Sequence, residues 1–202
     1  MAEVYLKGLD KVVKSLGNDE RKTREIGVRA LNKTAARTKT AGSREIRKEV
    51  RLPAGYVGER MNLVRANRGK LFAEIRAERR SVLLSRYSRF KPSGDLASAR
   101  KTPSGRRRIA RIARSPGKGA EALRHAFWVP IKRGHKQGGN GFALAERVKA
   151  GGGYARKKFE VLHGASVEQV WRTVRSKVEP FAADYLQKEF ARLWRLALGA
   201  KK

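Results

Sequence analysis

The sequence predicts an α+β fold, with a long N-terminal helix and a C-terminal amphipathic helix packed on a small antiparallel sheet, beside a basic loop or arm rich in Pro, Gly and Arg. Three observations carry this reading. Residues 19–50 hold no proline and few glycines, and residues 71–77 alternate apolar with polar at a period of two. From residue 166 onward, apolar side chains recur at intervals of three and four behind a helix-start signal.

Val4, Leu6, Leu9, Val12, Val13 and Leu16 recur at helical spacing and stop at Gly17, which predicts a short first helix. Asp19 suits the N-cap of the long helix that follows. Winding that helix at about 100° per residue sets Val28, Leu31, Ala35, Gly42 and Ile46 on one side. Lys22, Arg29, Lys33, Arg37, Arg44, Lys48 and Arg51 fall nearly opposite, with Ile26 and Ala30 among them. Such a ridge is ordinarily a solvated face. Acids are nearly absent from it, however, and like charges one turn apart repel unless an anion lies between them.

Pro53 interrupts the helix, and residues 54–66 predict another with Val57, Met61 and Val64 inward and Arg60 and Arg65 outward. Past Gly69, Leu71, Ala73, Ile75 and Ala77 alternate with Phe72, Glu74, Arg76 and Glu78, the pattern of a half-buried strand. Residues 80–90 are expected to pair back on it as a second strand. Residues 91–118 are punctuated by Pro92, Gly94, Pro103, Gly105, Pro116 and Gly117 and carry no acid after Asp95. They read as a long mobile loop or arm, and such loops are usually functional or disordered.

Strand character returns at 121–131, around Phe127, Trp128 and Val129, and again at 142–148 and 159–162 on either side of Gly151-Gly152-Gly153. Ser166-Val167-Glu168-Gln169 matches the capping box, in which the Ser and Gln side chains each satisfy the other's free amide. The helix it opens carries Trp171 and Trp194 on its apolar stripe. Pro180 predicts a kink or two consecutive helices.

Forty-nine Lys and Arg against eighteen Asp and Glu give a formal net charge of +31 over 202 residues. Self-repulsion on that scale destabilises a compact monomer, so the chain is expected to work beside nucleic acid, an anionic membrane surface or an acidic protein. The hydrophobic share of 40% lies below the average of about 45–50%, so a core forms but part of the chain stays out of it. The length fits one domain of ordinary size, with or without extended arms.

Cysteine is absent, which excludes a disulfide framework, a thiolate metal site and a cysteine nucleophile, and suits a reducing cytoplasm. Met1-Ala2-Glu3-Val4 offers no basic region ahead of an apolar one, so no secretory signal is expected. No window approaches the roughly 18 apolar residues of a membrane-spanning helix.

His125, His135 and His163 have no carboxylate at metal or triad spacing. Gly117-Lys118-Gly119 lacks the spacing and the following Ser or Thr of a phosphate-binding loop. The chain therefore reads as no enzyme and as needing neither cofactor nor metal. Base-reading devices are missing as well, so contact with DNA would be to phosphates alone. The candidate polyanion-binding residues are Arg100, Lys101, Arg106, Arg107, Arg108, Arg111, Arg114 and Lys118 on the arm, with Arg29, Lys33, Arg37, Arg44 and Lys48 on the long helix.

The opening Val4-Tyr5-Leu6-Lys7-Gly8-Leu9-Asp10-Lys11-Val12-Val13-Lys14-Ser15-Leu16, followed by Ala30-Leu31-Asn32-Lys33-Thr34-Ala35, resembles the start of the minor tail protein Z group of tailed bacteriophages, the lambda-type tail completion or neck protein. Residues 159–162, the helix start Gly164-Ala165-Ser166-Val167 and the amphipathic run 171–196 resemble the same group's final strand and helix. The Arg-rich stretch 106–114 has a counterpart in composition only.

The resemblance implies one tail completion domain across 1–202, with 91–118 a basic arm, and no catalytic residues. It further implies a structural virion protein, assembled in the host cytoplasm, at the upper end of the tail where tail joins head and the genome end is held. Its implied partners are the tail terminator, the tail tube, the head-tail connector, other copies of itself and the packaged DNA, with no membrane. The residues also fit a free-standing, sequence-non-specific nucleic-acid-binding protein of ribosomal or nucleoid type. A peripheral membrane protein fits less well, because the aromatic residues stand where a core needs them.

Overall fold

A computed structural model of the protein describes residues 3–5, 20–88, 90, 109–131, 141–150 and 153–199. Contacts divide the chain into two compact units: residues 1–49, 53–80 and 166–202, and residues 50–52 and 81–165. The first unit contains helices α1 (Glu20–Glu49), α2 (Ala54–Glu59) and α3 (Val167–Gly199) and strands β1 (Glu3–Tyr5), β2 (Met61–Val64) and β3 (Glu74–Ala77). The strands form an antiparallel sheet in the order β1-β3-β2, with Ile75 opposite both Val4 and Leu63. The architecture is the expected α+β one, with two long helices and small antiparallel sheets.

α1 packs along α3 and also meets β2 and β3. Its buried residues are Thr23, Ile26, Gly27, Ala30, Leu31, Thr34, Ala35, Thr38, Gly42 and Ile46. Leu31, Ala35, Gly42 and Ile46 lie inward as expected. Ile26 and Ala30, which the helical winding placed with the cations, are buried too, while Val28 is only half-buried. A helix touched on more than one side buries an arc wider than the roughly 100° stripe that one partner demands.

α1 and α3 come into close contact at Gly42. A Cβ there would stand 2.5 Å from Trp171 Cζ3 and 3.3 Å from Met61 Cε, so the fully buried indole of α3 fills the space a side chain would take. One end of the same interface gathers Leu31, Ala35, Ala66 and Ala73, flanked by Leu63, Leu71, Leu186 and Phe190. Asn32 holds the backbone of Ala66 in both directions, its Nδ2 donating to Ala66 O at 3.0 Å and its Oδ1 accepting from Ala66 N at 2.8 Å.

α3 opens on the capping box. Ser166 N donates to Gln169 Oε1 at 2.9 Å, and Gln169 N donates to Ser166 Oγ at 3.1 Å. The expected division at Pro180 does not occur: the helix runs through it as one element, with Val178 and Ala182 buried on either side. Packing on α1 outweighs the single amide that proline removes.

Three local expectations are corrected. The segment 54–66 is helical only to Glu59; Met61–Val64 is a strand in register with Glu74–Ala77, and Val64 is exposed. Gly55 and Gly58 weaken a continuing helix, whereas β3 offers pairing that buries Met61. Val4 belongs to β1 and not to a helix, and residues 6–19 lie outside those described. Glu74, assigned to the solvent side of β3, is buried, with Arg76 Nε and Nη2 donating to its two oxygens at 2.7 and 2.8 Å.

The second unit holds β4 (Val82–Leu83), a 3-10 turn (Leu84–Tyr87), β5 (Ala110–Ile112), β6 (Glu121–Leu123), β7 (Phe127–Ile131), β8 (Gly141–Ala150), β9 (Gly153–Val161) and β10 (His163–Gly164). Residues 80–90 thus do not pair on β3, because β1 and β2 already occupy its two edges; β4 pairs with β10 instead. Strands are present in the expected stretches 121–131, 142–148 and 159–162; the first divides into β6, which pairs with β5, and β7, which joins the other two in an antiparallel sheet of order β7-β8-β9. Val129, Ala143 and Ala145 are buried there against Leu83, Phe127, Ile131 and Val161.

Within the stretch read as a loop, residues 110–112 form β5, with Ala110 and Ile112 buried around exposed Arg111. A short alternation is masked when a run of arginines surrounds it. Residues 91–108 lie outside those described.

Gly42→Ala should destabilise the protein by about 1–3 kcal/mol in denaturant unfolding, the usual penalty of overpacking. Trp171→Phe should recover part of that loss in the Gly42→Ala background. Ser166→Ala should cost about 0.5–2 kcal/mol through the lost cap.

Candidate functional site

The cations singled out on α1 are all exposed: Arg29, Lys33, Arg37, Arg44 and Lys48 follow one another along its solvent side. From the first to the last the helix rises about 28 Å, at roughly 1.5 Å per residue. The five differ in what they touch. Lys33 Nζ meets Glu189 Oε1 of α3 at 2.9 Å, and Lys48 Nζ meets Glu45 Oε1 at 2.6 Å. Arg29, Arg37 and Arg44 have no partner among the described residues. Arg47 joins them, exposed and likewise without a partner among the described residues. It lies roughly five turns beyond Arg29 on the same line, a signal that the helical winding of the sequence contains.

Lys33 is anchored in a structural cluster. The Glu189 carboxylate is 6% exposed and accepts from Arg192 Nη2 at 2.6 Å, Arg192 Nε at 3.0 Å and Lys33 Nζ at 2.9 Å. The Arg192 hydrogen bonds are the main cause that lowers its pKa from 4.5 to about 2, Lys33 adding to them while burial opposes. The same contact raises the Arg192 guanidinium. Further along, Lys177 Nζ meets Glu49 Oε1 at 2.9 Å, and that hydrogen bond raises the Lys177 ammonium.

In the second unit Arg111 is exposed on β5 with no partner among the described residues. Arg114 Nη2 lies 3.5 Å from Glu121 Oε2. Lys118 is exposed in the turn toward β6, beside Gly117, whose φ of +80° favours glycine. Arg100, Lys101, Arg106, Arg107 and Arg108 lie outside the described residues. His125 and His163 are exposed, His135 lies outside the described residues, and no cluster of metal-ligating side chains occurs among those described. No helix among the described residues is long and apolar enough to cross a membrane.

Exposed guanidinium groups on a rigid helix bind phosphates or carboxylates by charge-assisted hydrogen bonds and carry no means of reading a base sequence. Fold and surface together define a cationic α+β protein. Residues 6–198 match the family described as prophage minor tail protein Z, and the chain belongs to that family. It is a phage minor tail protein and thus a component of the virion. No curated protein and no solved structure matches it.

The lowered Glu189 carboxyl makes stability depend on pH in a defined direction. A group that titrates lower in the folded protein than in the unfolded chain contributes fully above its ordinary value. That contribution is lost as pH falls from 4.5 toward about 2. Glu189→Gln should therefore lower stability at neutral pH by about 1–2 kcal/mol, the half-exposed partners limiting the effect. Denaturant unfolding over a pH series should show the gap between the two proteins closing within that window.

Proposed function

We propose that this minor tail protein completes the upper end of the tail, at the junction with the head, and holds the end of the packaged DNA there through phosphate contacts without sequence preference. Its partners at that place are the tail terminator, the tail tube, the head-tail connector and further copies of the chain. The observation that carries the reading is the row of partnerless guanidinium groups Arg29, Arg37 and Arg44 on α1, extended by Arg47. Like charges on one helix face repel, and a polyanion laid along them removes that repulsion.

The row and its neighbours extend about 28 Å, close to eight base-pair rises of roughly 3.4 Å. A duplex carries about one phosphate charge per 1.7 Å of its axis, so a stretch of that length holds more phosphates than the row has arginines. Arg100, Lys101, Arg106, Arg107 and Arg108, with Arg111, Arg114 and Lys118, supply the same chemistry from the segment 91–118. Lys33 and Lys48 contribute charge to the surface while remaining tied to Glu189 and Glu45.

The triple variant Arg29→Gln, Arg37→Gln, Arg44→Gln should fold normally, because all three side chains are exposed. Its binding to duplex DNA should lose salt dependence, the slope of log K against log salt falling by roughly 0.9 for each phosphate contact removed, about 2.7 in all. Phage carrying the variant should yield tails that join heads or deliver DNA poorly. An unchanged slope together with normal infectivity would refute the proposal.

A further inference from the structure

We infer that the second unit carries a docking pocket for one apolar side chain flanked by carboxylates, presented by an acidic segment of a neighbouring protein. A cavity of about 300 Å³ lies between β5, β7 and the residues after the 3-10 turn, lined among others by Ser88, Phe90, Ile109, Arg111, Ala120 and Trp128. That volume sits at the small end of ligand sites, about 300–1,000 Å³, and suits a single aromatic or branched side chain. Phe90 packs edge-on to Trp128, with centroids 6.0 Å apart, which fixes one wall.

Trp128 is 2% exposed and Ser88 6%, so both form a fixed floor to the cavity and the surface it presents is almost wholly apolar. At the rim, Arg111 is exposed with no partner among the described residues, and Ile109 is 50% exposed. The site thus combines an apolar wall with one cation at its rim.

That combination selects the occupant. A second copy of this chain is a poor match, since each carries a net charge of +31. A DNA backbone meets Arg111 but has no apolar group to fill the cavity. An acidic peptide supplies both, its apolar side chain entering beside Phe90 and its carboxylate oxygens accepting from Arg111. The site shares Arg111 with the DNA-holding role but does not rest on it, and it would remain if that role were disproved.

The test uses the full chain with 15N-labelled tryptophan, titrated with the peptide acetyl-Glu-Phe-Asp-Glu-amide and with a control in which Ala replaces Phe. The indole N–H resonance of Trp128, assigned through Trp128→Phe, should shift and saturate with the Phe peptide and stay in place with the Ala peptide. Ala120→Phe, which fills the cavity, and Arg111→Glu should each weaken binding at least about tenfold while other resonances remain folded. A fixed Trp128 indole, equal binding of both peptides, or an Ala120→Phe variant that binds as before would each overturn the pocket.

Discussion

The rest of the first unit depends on the absence of a side chain at position 42. Because Gly42 offers no Cβ, the Cζ3 and Cη2 carbons of the Trp171 ring come close against α1, with Met61 beside them. That contact fixes the rotation of α1 about its own axis. Once Gly42, Leu31, Ala35 and Ile46 face inward, the positions of Arg29, Arg37 and Arg44 are no longer free: they must point to solvent. A packing constraint thereby determines where the charge of the molecule is displayed.

The acids follow a complementary logic. Few in number, many of them sit at joints between elements and not among the exposed arginines. Glu189 ties α3 to Lys33 of α1, and Glu49 ties α1 to Lys177 of α3. Glu168, 4% exposed in the first turn of α3, accepts from Arg172 Nε at 2.7 Å, where a negative charge also complements the helix dipole. Glu74 is closed off by Arg76 on β3. Anions held at joints stabilise the fold and leave Arg29, Arg37, Arg44 and Arg47 of α1 without a counter-ion among the described residues. The excess charge of that helix is therefore displayed outward.

What the sequence revealed and what it concealed divide along physical lines. Long helices with local start signals are legible, and Ser166 with Gln169 closes the capping box that its four-residue spacing announces. Gly42 on the packing face of α1 was equally readable. The strand at 61–64 was not, because a four-residue segment has too few turns to distinguish a helical period from pairing, and its partner β3 decides. β5 is hidden within an arginine-rich run, where Ala110 and Ile112 are small and isolated signals. Lys33 looks like any ridge cation until folding brings Glu189, 156 residues away, to within 2.9 Å of it. The cavity lined by Trp128 and Ser88 has no trace in sequence, since an unfilled space is a property of three-dimensional surroundings alone.

The central claim is that the partnerless face of α1 exists to meet a polyanion in the particle. The most direct measurement is a reconstruction of the intact phage at the head-tail junction, resolved well enough to orient this helix. The account predicts that the side bearing Arg29, Arg37, Arg44 and Arg47 lies against DNA density. A helix whose arginine side faces open solvent, or whose protein sits far from the junction, would contradict it.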